Sequence, residues 1–260
     1  MGRMTVLSGA AGLSLPAAPK ITMTEFEKAV ANIPGLLHYI DPGRLKSNAS
    51  GRDAMSGAMI TSAGTNTITA SSPDFSNNPI VTTANGGSGI SLAPGSVTRS
   101  YTVIAVGRLA TARFDDPQYS NLFLSTTAEN TFIGGLRVTP ENRLGLMPQD
   151  GASTWNALSL ALSPARGAKA IYCASLDYDT KQSAVAYNNG RAFQLGTHTT
   201  VYDPKATDRW SVARNPFSTA SGFPGDMALV MIFDRALHMP TNRPYLDDLM
   251  TRLRTKFALT

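Results

Sequence analysis

The stretch GFPGDMALVMIFDRALHMP, Gly222 to Pro240, decides how the rest of the chain is read. Its apolar run, Met227 to Phe233, is entered through a Gly-Phe-Pro-Gly turn and left abruptly at Asp234-Arg235. A run this short, bounded by turn residues on both sides and without alternation, is a poor helix and a good central strand covered on both faces. Gly225 lets the chain turn sharply into the sheet, Phe233 ends the buried part, and Asp234-Arg235 restores contact with water. Beyond it, Thr241 is placed to cap a helix whose apolar face is Leu246, Leu249, Met250, Leu253 and Phe257. Asp247 and Asp248 stand near its start and Arg252, Arg254 and Lys256 near its end, the order that the helix dipole favours.

Upstream, SAVAYNNGRAFQLG holds two short strands around Asn188-Asn189-Gly190, a hairpin signal because a type I′ turn needs positive φ at both central positions. YTVIAVGRL (101–109), NLFLST (121–126), TFIGGLRV (131–138), RLGLMP (143–148) and AIYCASLDY (170–178) read as further strands. Between residues 44 and 100, brief runs such as AMIT, NTITA and PIVTT sit among Ser, Thr, Asn, Gly and Pro, as in the short strands and long loops of an all-β domain. Thr22 with Glu25, or Thr24 with Glu27, offers a capping box for a short helix carrying Phe26, Val30 and Ile33, ended by Pro34-Gly35. LLHYI follows and stops at Asp41-Pro42-Gly43, a turn.

The chain has 260 residues, 42% of them hydrophobic and 16% charged, which suits one large folded domain and excludes a disordered chain. Its 23 Lys and Arg against 18 Asp and Glu give +5, with the basic residues scattered; no basic and aromatic surface for nucleic acid is evident. The lone Cys173, in AIYCASL, is read as a small buried hydrophobe and fits a reducing compartment. No stretch approaches the ~20 apolar residues of a membrane span. Residues 1–21 are read as an extended, retained arm without a signal peptide, whose apolar residues Val6, Leu7, Leu13, Leu15 and Pro16 dock on a neighbour; residues 22–260 form the domain.

The series IPGLLHYIDPGRL, YTVIAVGRL, SAVAYNNGRAF and FPGDMALVMIFDRAL resembles the concanavalin A-like lectin and glucanase fold, and within it the laminin G-like jelly-roll domains. There a hairpin with an Asn-Gly turn precedes a strand of the form G-[DE]-apolar run-[DN]-R-A-L, matched here by Asn189-Gly190 and by Gly225-Asp226 through Asp234-Arg235-Ala236-Leu237. The resemblance implies an all-β fold, a two-sheet jelly-roll sandwich with a short N-terminal helix and a C-terminal helix. Such folds host lectins, glycosidases, adhesion modules and virion parts, so function is argued from sites. Bacteriophage particle proteins also resemble this layout of a short arm, one jelly roll and Ser/Thr/Asn/Gly-rich loops.

A retaining glycosidase needs two carboxylates about 5 Å apart, and no E-x-D-x-E or E-x-x-E pair falls on a strand. Glu25 and Glu27 belong to the first helix, and Glu129 and Glu141 to turns. Asp177 and Asp179, in LDYDTK, are spaced to share a strand face and are candidate Ca²⁺ ligands, or else a strand end entering a turn. Asp115-Asp116, before Pro117, reads as a turn. His38, His198 and His238 lack partners at metal-ligand spacing and are read as structural or exposed. Ser88, in NGGSGIS, is read as part of a flexible loop rather than a nucleophile elbow.

Loop aromatics are better candidates, since a planar ring stacks on the apolar face of a sugar. Trp155 with Asn156, Tyr119 and Tyr202 are the candidate glycan contacts, while Trp210 is assigned to the core. The expected protein is a non-enzymatic structural or binding module, a phage virion component (capsid decoration, head fibre or tail-associated protein) made in the bacterial cytoplasm. It is expected to need no cofactor, to form homo-oligomers or bind other virion proteins through the arm, and to meet host-surface polysaccharide. A free lectin and a glycoside hydrolase are the alternatives.

Overall fold

The computed structural model describes residues 23–84, 86–111, 120–127, 132–139, 143–148, 158–161, 167–188, 193–217 and 222–259. Strand β16 (Gly225–Phe233) is buried along its whole length. On one side it pairs antiparallel with β7 (Tyr101–Leu109). On the other it pairs first with β5 (Asn78–Thr83) and then with β1 (Leu36–Ile40). Beyond β7 lie β12 (Ala170–Leu176), β13 (Gln182–Tyr187) and β14 (Phe193–Thr197), and beyond β5 lies β4 (Asn66–Ser72). The second sheet runs β11 (Leu158–Ala161), β10 (Arg143–Pro148), β9 (Phe132–Val138), β8 (Ser120–Thr126), β15 (Arg209–Val212), β6 (Gly89–Ser91), β3 (Met59–Ala63), β2 (Gly51–Arg52). The two antiparallel sheets form a jelly-roll sandwich, the fold that the resemblance implies.

The need to bury both faces of β16 creates three layers. Met227, Val230 and Ile232 enter the core between the sheets with Trp210, Phe123, Tyr172 and Phe223. Ala228, Leu229, Met231 and Phe233 face the helices. Two neighbours, Ala228 and Leu229, share a face because the register with β7 slips between Met227 and Leu229, a β-bulge that re-aims the rest of the strand. The apolar face expected of the last helix is the buried one: Leu246, Leu249, Met250, Leu253 and Phe257 of α2 (Arg243–Phe257) cover the first sheet. Cys173 sits beneath them, its thiol pushed up to about 12 by burial, an inert packing residue.

Charges inside the first sheet are met by cross-strand partners. Asp226 stands opposite Arg108 and Thr82, and receives Arg108 Nη2 at 2.6 Å and Thr82 Oγ1 at 2.7 Å. The corner after β16 is held by hydroxyls. Thr102 Oγ1 donates to the Arg235 carbonyl at 2.8 Å and accepts Leu237 N–H at 2.8 Å. Ser175, directly opposite Thr102, lies 2.8 Å from it, and His238 Nδ1 lies 2.8 Å from the same Ser175 oxygen. Asp234 N–H donates to the Gly35 carbonyl; Gly35 has φ +84°, and a Cβ there would run into Asp234 and Arg235.

The structure selects between the two capping boxes. Helix α1 (Glu25–Ala31) starts from Thr24, whose Oγ1 accepts Glu27 N–H while Glu27 accepts Thr24 N–H at 2.7 Å. Burial pushes the Glu27 carboxyl up, but those bonds and the Arg44 guanidinium outweigh it and hold it below its ordinary value.

Several expectations are corrected. Helix α2 begins after Asn242 rather than Thr241, and Asn242 uses its amide on the Ala236 carbonyl instead of capping the helix. Asp247 and Asp248 lie past the first turn and pair at i,i+4 spacing with Arg243 and Arg252, so side-chain pairing places them, not the dipole. NGGSGIS is not simply a loop: Gly89–Ser91 is β6, between β15 and β3, and Ser88 is fully buried with its oxygen accepting Thr65 N–H. β12 stops at Leu176, so Asp177 and Asp179 do not share a strand face. The three histidines are structural, all buried; His38 approaches Asp53 at 3.6 Å, and His198 lies 2.6 Å from the Ser183 oxygen. Asn189-Gly190 lies outside the described residues, although the strands on either side pair, Ala186 opposite Phe193.

Two predictions follow from these contacts. In Gly225→Ala, the positive φ of 149° and a collision with the Arg108 carbonyl oxygen cost about 2 kcal/mol or more, read by chemical denaturation. Burial, opposed by Asp177 and aided by Arg243, lowers His238 from its ordinary 6.5 to about 4. The unfolded chain therefore takes up the proton first, and the stability contribution is complete above pH 6.5 and lost as pH falls toward 4, roughly 3 kcal/mol at most. Denaturant midpoints measured against pH fall across this window in the parent and flatten in His238→Asn.

Candidate binding rim

One end of the sandwich collects the loops that follow β12 and β16 and precede β7, β13 and β15. The β12 to β13 turn is closed by Asp177, whose Oδ2 accepts Thr180 N–H at 2.9 Å and Thr180 Oγ1 at 2.6 Å. Ser100 ties the turn to the neighbouring loop: its oxygen accepts Tyr178 N–H at 2.9 Å. The 202–208 segment crosses in front, held by Asp208, which accepts Lys205 N–H at 2.7 Å, and by Gly95 N–H on the Asp208 carbonyl at 2.7 Å.

Three side chains meet on this platform. Arg99 donates Nε and Nη2 to the two oxygens of Asp203, both at 2.7 Å, in a bidentate pair. The same guanidinium lies 5.0 Å from the centre of the Tyr178 ring. Both pair members are exposed, Arg99 by 62% and Asp203 by 52%. The hydrogen bonds from Arg99 hold the Asp203 carboxyl below its ordinary value, so Asp203 is an ionised acceptor and not a proton donor. Tyr202 lies beside them in a small pocket with Val97, Thr98 and Tyr101, and an adjoining cleft of about 480 Å³ is lined by Gly95, Arg99, Ser100, Pro204, Lys205 and Asp234.

The rim unites Tyr202 with Asp177 and Asp179 of the sequence-derived candidates. Asp177 spends its carboxylate on the turn, and among the described residues no three His, Cys, Asp or Glu side chains come together to hold a metal. Trp155 and Asn156 lie outside the described residues. Tyr119 also lies outside the described residues. The arm residues Val6, Leu7, Leu13, Leu15 and Pro16 are outside the described residues too. Sequence reading missed Arg99, Tyr178 and Asp203. Tyr178 was visible between the two aspartates of LDYDTK, but its partner Arg99 lies far away in the chain.

A second cleft, of about 520 Å³, opens beside α1 between Met23, Leu36, Tyr39, Met55, Arg44 and Arg52. Asp53 forms part of its wall, accepting Tyr39, Met55 and Ser56 N–H groups.

No protein-family model matches the chain, and no curated protein matches its sequence. Solved structures share the fold. Domain 4 of AbnA, a GH43 extracellular arabinanase from Geobacillus stearothermophilus solved in complex with arabinotriose, superposes with a TM-score of 0.58 at 17% identity, covering 83% of this chain and 98% of that one. The botulinum neurotoxin serotype D binding domain gives 0.58 at 10% identity over 82% of this chain and 51% of that one. Trypanosoma rangeli sialidase with the inhibitor DANA gives 0.57 at 12% identity over 84% and 33%. The chain thus shares the two-sheet β-sandwich fold of these structures and spans about half of the neurotoxin domain and a third of the sialidase.

Because Arg99 and Asp203 are exposed and pack little, Arg99→Ala leaves the thermal midpoint unchanged while freeing Tyr178, which gains solvent accessibility in fluorescence quenching.

Proposed function

We propose that the protein is a non-enzymatic carbohydrate-binding module and that the rim around Arg99, Asp203, Tyr178 and Tyr202 is its binding surface. The observation that carries this reading is the Tyr178–Arg99–Asp203 stack, an aromatic face joined to a preorganised guanidinium and carboxylate beside an open cleft. Sugars present apolar C–H faces and hydroxyl edges together, which such a set receives by stacking and by hydrogen bonds to Asp203 and the remaining Arg99 N–H groups. The likeness in fold to a domain solved with arabinotriose supports the reading. Binding of this kind uses neutral hydroxyls and no metal. In titrations with polysaccharides, Tyr178→Ala and Arg99→Ala each weaken binding about tenfold, and a chelator changes nothing. Equal affinity in both variants overturns the assignment of the rim; release of shorter sugars overturns the non-enzymatic reading.

The finer reading is a laminin G-like component of a bacteriophage particle (capsid decoration, head fibre or tail-associated protein) that docks through residues 1–21 and turns its rim toward host-surface polysaccharide. The apolar cleft beside Met23, at the point where the arm joins the domain, favours a packed role for that segment. Deleting residues 1–21 abolishes incorporation into particles and self-association, while glycan binding by the rim persists; unchanged incorporation overturns this part.

A further inference from the structure

The first sheet ends at β14, Phe193-Gln194-Leu195-Gly196-Thr197, a strand with no charged residue and no proline. Its two faces are fixed by what they touch. A Cβ on Gly196 would lie 3.0 Å from Leu158 Cδ1, in the core between the sheets, so Gly196 points inward. Phe193 packs with the helix-side cluster, its ring centre 4.0 Å from the Arg243 guanidinium, so Phe193 and Leu195 turn to the outer face. Leu195 is 60% exposed there, the most exposed large hydrophobic side chain among the described residues.

The backbone of the strand is equally defined. β14 pairs with β13, Gly196 opposite Ser183, Leu195 opposite Ala184 and Gln194 opposite Val185. In the same register His198 N–H donates to the Lys181 carbonyl at 2.9 Å. The pairs that exchange backbone bonds are therefore the alternate ones, Gly196 with Ser183 and Gln194 with Val185. The N–H and C=O groups of Phe193, Leu195 and Thr197 point the other way, off the end of the sheet. The opposite edge is blunted: the pairing of β4 with β5 slips between Thr69 and Ser72, and the one large apolar residue of β4, Ile68, packs on the core. β14 runs against β13 without such a slip and carries Leu195.

We propose that β14 is a contact between two copies of this chain, paired antiparallel about a two-fold axis at Leu195. About that axis Leu195 meets Leu195 of the second copy and Phe193 meets Thr197 of the second copy, pairs that use the outward N–H and C=O groups of the strand. The uncharged sequence suits a strand that faces itself, since a charge beside the axis would meet its own sign. One edge strand of this length covers less than the ~1,200 Å² of a stable interface. The pair therefore also draws on docking of residues 1–21, and to that extent it rests on the reading above.

The test is sedimentation of the full chain over a range of concentrations. The parent forms a dimer, and Leu195→Lys weakens the association at least tenfold while leaving the thermal midpoint unchanged, because the side chain is exposed. Register is read by Leu195→Cys: a hydrogen-bonded pair on the axis holds its Cα atoms about 5.5 Å apart, within reach of a disulfide, so mild oxidation links two copies. Gln194→Cys, on the inward face and opposite Gly196 of the second copy, does not link. A monomeric parent overturns the proposal, as does a dimer that Leu195→Lys leaves intact. Deleting residues 1–21 separates the two contacts. If the deletion disperses the chain and Leu195→Lys does not, the arm docks and the edge contact is overturned. If the Leu195→Cys link still forms after the deletion, the edge stands and the part of the arm in self-association is overturned.

Discussion

Strand β16 must be dry on both faces, and the layers of the molecule are the consequence. A strand with one wet face needs one partner layer; β16 needs the opposing sheet for Met227, Val230 and Ile232 and the helices for Leu229, Met231 and Phe233. Strand alternation lets β16 serve both layers, and the bulge at Ala228 shifts which residues face each layer beyond the pairing with β5; before the bulge, regular register sets Asp226 between Arg108 and Thr82. The end of the strand is as constrained as its middle. Thr102 and Ser175, opposite each other on β7 and β12, hold the backbone of Arg235 and Leu237 and the ring of His238, so the reversal toward α2 is fixed by paired hydroxyls under an apolar roof.

The same constraint positions the rim. The loops that carry Arg99, Tyr178 and Asp203 leave strands whose registers are set by the core; the Ser100 hydroxyl and the Gly95 N–H join them to one another, and Asp177 and Asp208 close their own turns. Exposed side chains thus stand on a platform that is itself well packed, the arrangement expected where loops bind and the scaffold orients them. Solved structures that share the sandwich contribute the fold, and the reading of the rim rests on the chemistry of its own residues.

The outer face of the second sheet follows a different logic. Its polar row of Ser91 and Ser211 lies where a sandwich ordinarily needs no further apolar layer, so the hydroxyls persist there at low exposure beside the half-buried Arg214. On the first sheet the buried hydroxyls of Thr102 and Ser175 are instead spent on each other and on the backbone of the corner after β16.

What the sequence determined by itself is what one segment expresses alone. The extent of β7, the doubly buried β16 and the apolar face of α2 were legible, because periodicity and turn residues act over a few neighbours. Tertiary structure decided what distant segments do to each other. Thr24 rather than Thr22 caps α1 in a structure where Glu27 also meets Arg44, and Gly89–Ser91 is a strand because β15 and β3 pair with it. Tyr178 becomes part of a rim through Arg99, and Arg214 acquires its place through Ser91. These pairings join residues tens to more than a hundred positions apart, and no local pattern encodes which loops a closed sandwich brings to the same end.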